Sequence, residues 1–291
     1  MSISDPTSVP PSAKADKAAL REAATLVLLR DAPSGPEVLM VLRQRGAAFM
    51  ADAHVFPGGR LEPGDAGDFT VAAAREAFEE AGVLLAADAH GQHARDLDPV
   101  WLAAGRLAVG KGTIAFADLL AEKGLHTDTR ELLPFARWIT PPTESRRFDA
   151  RFYLARMPAG QDALADAAGE VVDFRWATPA RFLEDQKQGK VKLPPPTLWH
   201  LADLTRHETV AAALAWARTR GDVAAIPVRP KLVPVDGAIT ILLPWDPAYP
   251  AFPFANGDPD PVYEHGARTH PFAGPITRYV LDDGLWQPRS A

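Results

Sequence analysis

The sequence predicts an α/β fold in which helices are layered on a mixed β-sheet. Three observations carry that expectation. Apolar runs with strand character, such as Ala23 to Arg30 and Arg147 to Met157, are interleaved with helical stretches. One helical stretch, Val71 to Leu85, has no proline and is rich in Ala, Glu and Leu. An apolar content of 47% over 291 residues is ample for a sizeable core.

The elements follow in order. Met1 to about Asp16 is rich in Ser, Pro, Ala and Asp, and residues 1–17 are read as a mobile tail. Ala23 to Arg30 is a buried strand, Asp31 to Pro36 a turn, and Glu37 to Arg43 the next strand. Arg43-Gln44-Arg45-Gly46 and Phe49 to His54 lead into a Pro57-Gly58-Gly59 turn. Asp98 to Val109 and Ile114 to Lys123 read as helices inside an insertion of about residues 88–130. Leu133 to Thr140, Arg147 to Met157 and Glu170 to Ala177 are the next strands, the first stopped by Pro141-Pro142. Thr178 as cap and Pro179 at the first helical position open a helix to about Gln188. Leu193-Pro194-Pro195-Pro196 reads as a stiff extended piece, and Thr197 to Arg220 as one helix ended by Gly221. Residues 222–291 change character: proline is frequent and two strand candidates remain, Ala238 to Leu243 and Ile276 to Leu281. They are read as an extension packed on a core of residues 18–221, with no internal repeat.

The chemistry concentrates in Arg75-Glu76-Ala77-Phe78-Glu79-Glu80-Ala81-Gly82-Val83. On a helix, Glu76, Glu79 and Glu80 share one face, while Ala74, Phe78, Ala81 and Leu85 share another that can pack. Three like charges on one stripe repel each other. A hard dication such as Mg²⁺, which takes oxygen ligands, removes the repulsion. Arg75, four residues before Glu79, is placed to hold that carboxylate. The ordinary alternative for such a cluster is a solvated acidic face. Upstream, Gly58 and Gly59 permit close backbone approach to a ligand. A glycine-rich turn feeding a carboxylate-bearing helix suits a metal-bridged phosphate.

These residues resemble the Nudix box, G-x5-E-x7-R-E-U-x-E-E-x-G-U with U a bulky apolar residue. Arg75, Glu76, Glu79, Glu80, Gly82 and Val83 match, with Ala77 as a small stand-in for U. The front half departs. Six residues on from Gly59 stands Asp65 rather than Glu, and nine residues rather than seven separate it from Arg75. The pattern therefore assigns Asp65 no role. The resemblance implies the Nudix α/β/α sandwich; the helical insertion after the box helix and the proline-rich C-terminal extension are read from the residues themselves.

Further stretches narrow it. Phe49-Met50, Ala53-His54-Val55-Phe56-Pro57-Gly58-Gly59, Arg75 to Leu85, Trp138-Ile139-Thr140-Pro141, Arg146-Arg147-Phe148-Asp149 and Leu193-Pro194-Pro195-Pro196 recur in that order. Together they resemble the acyl-coenzyme A diphosphatase branch, the Nudix 19-type hydrolases, over about residues 23–205. The resemblance implies hydrolysis of the diphosphate in CoA or acyl-CoA to (acyl-)phosphopantetheine and adenosine 3′,5′-bisphosphate. It implies Mg²⁺ or Mn²⁺ on Glu76, Glu79, Glu80 and the Gly59 carbonyl. Arg75, Glu76 and Glu79 are catalytic on this reading. Glu76, Glu170 and Glu144 stand as candidate bases, the last two also readable as solvated loop acids. Arg43, Arg45, Gly58, Arg146 and Arg147 are candidate substrate contacts, since guanidinium suits phosphate; ordinary surface arginine is the alternative. His54 reads as a packed turn histidine, Trp138 and Trp176 as core, and Pro244-Trp245-Asp246-Pro247 as a proline-rich surface segment.

Composition bounds the rest. A net charge of −6 gives no global field for nucleic acid; the small nucleotide partner of the CoA type is what the resemblance implies. Zero cysteines exclude disulfides and thiolate chemistry and fit a cytoplasmic location. No apolar run reaches about 18 residues, so no membrane span is expected, and no signal peptide is evident. A homodimer is expected by analogy with other Nudix proteins. Two rivals remain: a Nudix hydrolase of another nucleoside diphosphate derivative, such as ADP-ribose or a dinucleotide, and a non-catalytic nucleotide sensor.

Overall fold

The computed structural model describes residues 19–43, 52–164, 171–253 and 270–291. The expected N-terminal tail, residues 1–17, lies outside them, as do Phe49 and Met50. The chain enters through β1 (Leu20–Ala32) and returns antiparallel in β2 (Gly35–Arg43). The turn is shorter than the sequence predicts, because Gly35 at φ 108° closes it at once. Then come β3 (His54–Val55) and β4 (Gly58–Arg60). The main helix, α1 (Phe69–Ala81), begins at Asp68, whose side chain accepts the Thr70 and Val71 N–H groups. It ends at Gly82, φ 67°. Both limits fall earlier than Val71 to Leu85, because the cap acceptor and the left-handed glycine fix them.

The insertion holds β5 (Ala86–Asp88), α2 (Pro99–Gly110), α3 (Phe116–Ala121) and β6 (Leu125–Thr127), with β5 and β6 paired antiparallel. Next follow β7 (Leu133–Ile139), β8 (Arg147–Arg156), β9 (Val171–Ala177) and α4 (Pro179–Lys187). Thr178 caps α4 through its hydroxyl to the Arg181 N–H at 3.2 Å. Two expectations are corrected here. The proline run does not stay extended: Pro194 does, but Pro195 opens α5 (Pro195–Leu204), where a missing N–H costs nothing. The single helix expected over Thr197 to Arg220 is two, because Thr209 caps a separate α6 (Val210–Arg220).

The C-terminal residues form β10 (Pro227–Val228), β11 (Lys231–Val235), β12 (Ala238–Leu242), β13 (Arg278–Asp282) and β14 (Leu285–Arg289). β11 to β14 make an antiparallel sheet of their own, which two strand candidates understated. The main sheet runs β10-β7-β8-β1-β2-β3, with β4 also on β1 and β9 also on β2. β1 and β8 are parallel while β1 and β2 are antiparallel, so the sheet is mixed.

Alternation along β1 builds a core on each face. Leu26 and Leu28 pack with Ala73, Ala77 and Phe78 of α1 and Leu120 of the insertion. Val27 and Leu29 pack with Phe135, Trp138, Leu201 of α5 and Ala213 of α6. Helices on both faces make the α/β/α layering. Leu243, Trp245 and Tyr279 belong to the second core. Trp245-Asp246 is therefore not a surface segment. The Trp245 indole donates to the Ile276 carbonyl at 2.7 Å, and fully buried Asp246 takes two 2.6 Å bonds from Arg278.

Candidate active site

β1 supplies the floor. Its residues Ala24 and Thr25 lie opposite Gly59 and Gly58 of β4. A Cβ on Gly58 would stand 2.6 Å from the Ala24 carbonyl oxygen, and one on Gly59 would overlap the Glu76 carboxylate. Both glycines are thus required by close approach, the second by the acidic helix itself. The Gly58 N–H donates to Glu80 Oε2 at 2.9 Å. The glycine turn and α1 are one unit.

Arg75 organises the acids. Its side chain is 5% exposed. Nε and Nη2 donate to the two oxygens of Asp65 at 2.9 and 3.0 Å. Nη1 donates to Glu76 and Glu79, each at 2.9 Å, and Nη2 also reaches the Arg60 carbonyl at 2.8 Å. The expected hold on Glu79 is present, but it is one of several. Asp65 is the partner that spacing did not assign. A 3₁₀ turn, Pro63–Asp65, brings it back to the helix, and its Oδ2 also accepts the Glu62 N–H at 2.8 Å. The extra residues before Arg75 are taken up by this turn and the Asp68 cap. Despite its burial, Arg75 is held well above the usual guanidinium range by Asp65 and Glu76.

The acids are not a solvated face. Glu76 and Glu80 are buried, and Glu79 is half-buried. Burial pushes the Glu76 carboxyl well above the usual carboxylate range, and the Glu80 charge adds to it. Burial also raises Glu79, against the pull of Arg75. Among the described residues no three acidic or histidine side chains converge as a closed ligand cluster. Glu79 is turned to Arg75, while Glu76 and Glu80 bracket the Gly58-Gly59 backbone. The donor set offers the oxygen chemistry that a hard dication takes. It consists of carboxylate oxygens beside a bare backbone, with repulsion between Glu76 and Glu80 that a cation removes.

The other predicted residues are spread. Arg43 ends β2 and gives its N–H to the Ala53 carbonyl at 3.1 Å. Arg147 opens β8, is buried, and donates to the Thr140 carbonyl at 3.3 Å, so it is not a surface arginine. Arg146 is exposed and Glu144 half-exposed in the preceding turn. Arg45 and Glu170 lie outside the described residues. His54 is a packed turn residue whose N–H bonds the Lys192 carbonyl at 2.9 Å. Its ring packs near Phe182, and burial lowers its pKa. Trp138 is core, and Trp176 lies at its edge under Arg30. Arg106 of α2 drew no attention in the sequence. Its Nε donates to the Glu79 carbonyl oxygen at 2.8 Å, joining the insertion to α1. Nothing in its sequence context marks it, since the contact is made across the fold.

Comparison with known proteins agrees with this geometry. Residues 63–204 match the family model described as the NUDT19 Nudix domain. The chain is 29% identical over 265 residues to the acyl-coenzyme A diphosphatase NUDT19 of Xenopus laevis, covering 84% of this chain and 67% of that protein. It is 32% identical over 189 residues to the putative nudix hydrolase 7 of Caenorhabditis elegans, covering 64% of this chain and 61% of that protein. A crystal structure of a Nudix hydrolase from Alicyclobacillus acidocaldarius superposes with a TM-score of 0.62 at 29% identity, covering 68% of this chain and 96% of that one.

Proposed function

The chain belongs to the Nudix hydrolase family, and from that premise we propose that it cleaves the diphosphate of CoA or acyl-CoA with the aid of Mg²⁺ or Mn²⁺. The products are (acyl-)phosphopantetheine and adenosine 3′,5′-bisphosphate. The observation that carries the reading is the bracketing of the Gly58-Gly59 backbone by buried Glu76 and Glu80. The substrate assignment rests further on relatives named acyl-coenzyme A diphosphatase.

Glu76 and Glu80, with the Gly59 carbonyl, would hold the ion, and Glu79 extends the set. When bound, the dication supplies Lewis acidity to the phosphoryl oxygens and lowers the pKa of a water. Arg75 fixes Glu76 and Glu79 in one arrangement, so the acids need no reordering during the reaction. Glu76, whose carboxylate lies against the Gly59 backbone, serves as base in this scheme. Glu170 and Glu144 are the other candidates for that role. Arg43, Arg45, Arg146 and Arg147 supply charge for the phosphates. We take residues 18–221 as the catalytic domain and 222–291 as an extension on it. A cytoplasmic homodimer acting on small nucleotides completes the proposal. Among the described residues no helix is long and apolar enough to cross a membrane.

The test is a substrate panel of CoA, a long-chain acyl-CoA, ADP-ribose and a dinucleotide. Each is assayed with Mg²⁺, with Mn²⁺ and with chelator, and products are identified by mass. Metal-dependent release of adenosine 3′,5′-bisphosphate is expected. Cleavage of ADP-ribose without cleavage of CoA would reject the substrate, and activity persisting in chelator would reject the metal.

A further inference from the structure

The catalytic helix ends in a problem of unsatisfied acceptors. The last four carbonyls of any α-helix lack helical partners. In α1 the Phe78 and Ala77 carbonyls are taken by the Gly82 and Val83 N–H groups. The Glu79 carbonyl is taken by Arg106 Nε at 2.8 Å, and the Ala81 carbonyl by the Leu164 N–H at 2.8 Å. Arg106 Nη1 also donates to the Leu164 carbonyl at 3.0 Å. One guanidinium therefore ties the last turn of α1 to the segment after β8. It is buried, so both bonds are made out of water. The fit around it is close: a Cβ on Gly82 would lie 3.3 Å from Arg106 Nη1 and 3.2 Å from Leu164 Cβ.

The same helix α2 reaches the acids one turn later. A Cβ on Gly110 would stand 4.0 Å from Glu79 Oε2, the oxygen that Arg75 leaves over. Glu79 is thus held at both ends, its carboxylate by Arg75 and its carbonyl by Arg106, with α2 as a wall beside it.

We propose that Arg106 is a positioning residue for hydrolysis: by holding the Glu79 carbonyl it fixes the rotation of the last turn of α1, which carries Glu79 and Glu80. The insertion then belongs to the catalytic apparatus rather than decorating the fold. The inference rests on the proposed role of the α1 carboxylates. Loosening the last turn moves Glu79 and Glu80 relative to Gly58 and Gly59 without touching the surfaces that bind the rest of the substrate. The loss therefore falls on kcat and on metal affinity, not on KM.

The experiment uses the full chain and CoA with Mg²⁺. Arg106→Ala and Arg106→Lys are compared with Trp101→Phe, which alters α2 at its bond to Glu122 and leaves the Arg106 side chain and its bonding groups unchanged. Arg106→Ala is expected to lower kcat roughly 10- to 100-fold, as for a displacement of about 1 Å at a catalytic group. KM for CoA stays within about threefold, and the Mg²⁺ concentration for half-activity rises. Arg106→Lys restores one donor and part of kcat. Trp101→Phe keeps the wild-type kcat whatever its melting temperature. Hydrogen exchange at the end of α1 quickens in Arg106→Lys, which keeps the reading testable where the alanine variant does not fold. Wild-type kcat in a folded Arg106 variant overturns the proposal, as does an equal kcat loss in Trp101→Phe. A wild-type protein inactive on every diphosphate rejects the proposed function instead.

Discussion

Asp65→Asn probes the acidic array with the least change of shape. The Asp65 side chain is 1% exposed and meets three donors: Arg75 Nε on Oδ1, and Arg75 Nη2 and the Glu62 N–H on Oδ2. An amide has one acceptor oxygen. Turned toward Nη2 and Glu62, that oxygen keeps two bonds and sets its NH₂ against Nε. Turned the other way, it keeps one bond and sets donors against donors twice. The first orientation wins, so one charge-assisted hydrogen bond is lost, worth about 1.5–3 kcal/mol. The larger cost of a broken buried ion pair, about 3–5 kcal/mol, is not reached. Arg75 keeps Glu76, Glu79 and the Arg60 carbonyl. The expected loss is about 2 kcal/mol, read from urea unfolding as a shifted midpoint at constant slope. Arg75 is also left with one of its two bonds to residue 65. The placement of the glutamates loosens, and kcat on CoA falls about tenfold. An unchanged midpoint would refute the energetic account. A shifted midpoint with wild-type kcat would refute the claim that Asp65 works through Arg75 on the acids.

Three further outcomes follow from the same structure. Gly59→Ala puts a methyl where the Glu76 carboxylate lies, so kcat is expected to fall about 100-fold with circular dichroism unchanged; near-wild-type turnover would show that Glu76 can move freely. Burial holds His270 at about 4, below its ordinary value of 6.5. The unfolded chain takes up this proton first on acidification. The contribution of His270 is therefore complete above about pH 6.5 and lost as pH falls toward about 4, by about 3 kcal/mol. His270→Gln should flatten the stability profile across that window, and an unchanged profile would sink the assignment. Asp246→Asn strips the charge that two Arg278 bonds and the Thr277 hydroxyl meet. The melting temperature should drop by an amount corresponding to about 3 kcal/mol, with kcat on CoA retained; loss of kcat at intact stability would tie the C-terminal sheet to the reaction.

Much of the fold is legible because its causes are local. Strand character in Ala23 to Arg30 and Arg147 to Met157 survives in β1 and β8: β1 is extended at both ends by pairing that no window of sequence contains, and β8 stops one residue short, at Arg156. The cap at Thr178 is a two-residue signal, and the structure keeps it. The misreadings share one physical origin. Three consecutive prolines look extended, yet the first turn of a helix needs none of their missing donors, and Leu198, Leu201 and Leu204 reward a helix by packing into the second core. Pro244-Trp245-Asp246-Pro247 looks like surface because its partner, Arg278, lies 32 residues on.

The site divides along the same line. Arg75, Glu76, Glu79 and Glu80 lie on one helix, so their spacing alone announces them. Asp65 does not, because ion pairing is set by where a carboxylate arrives and not by how many residues it crosses. The 3₁₀ turn at Pro63–Asp65 and the cap at Asp68 take up the lengthened loop, and the acid still lands on both arms of Arg75. Arg106 is a stronger case, since 27 residues separate it from Glu79 and its target is a carbonyl, which has no side-chain identity for a pattern to record. A motif shows which groups can do chemistry. What keeps those groups still is supplied by contacts whose sequence separation is free to vary, and Asp65 and Arg106 are two such supports around the same glutamate helix.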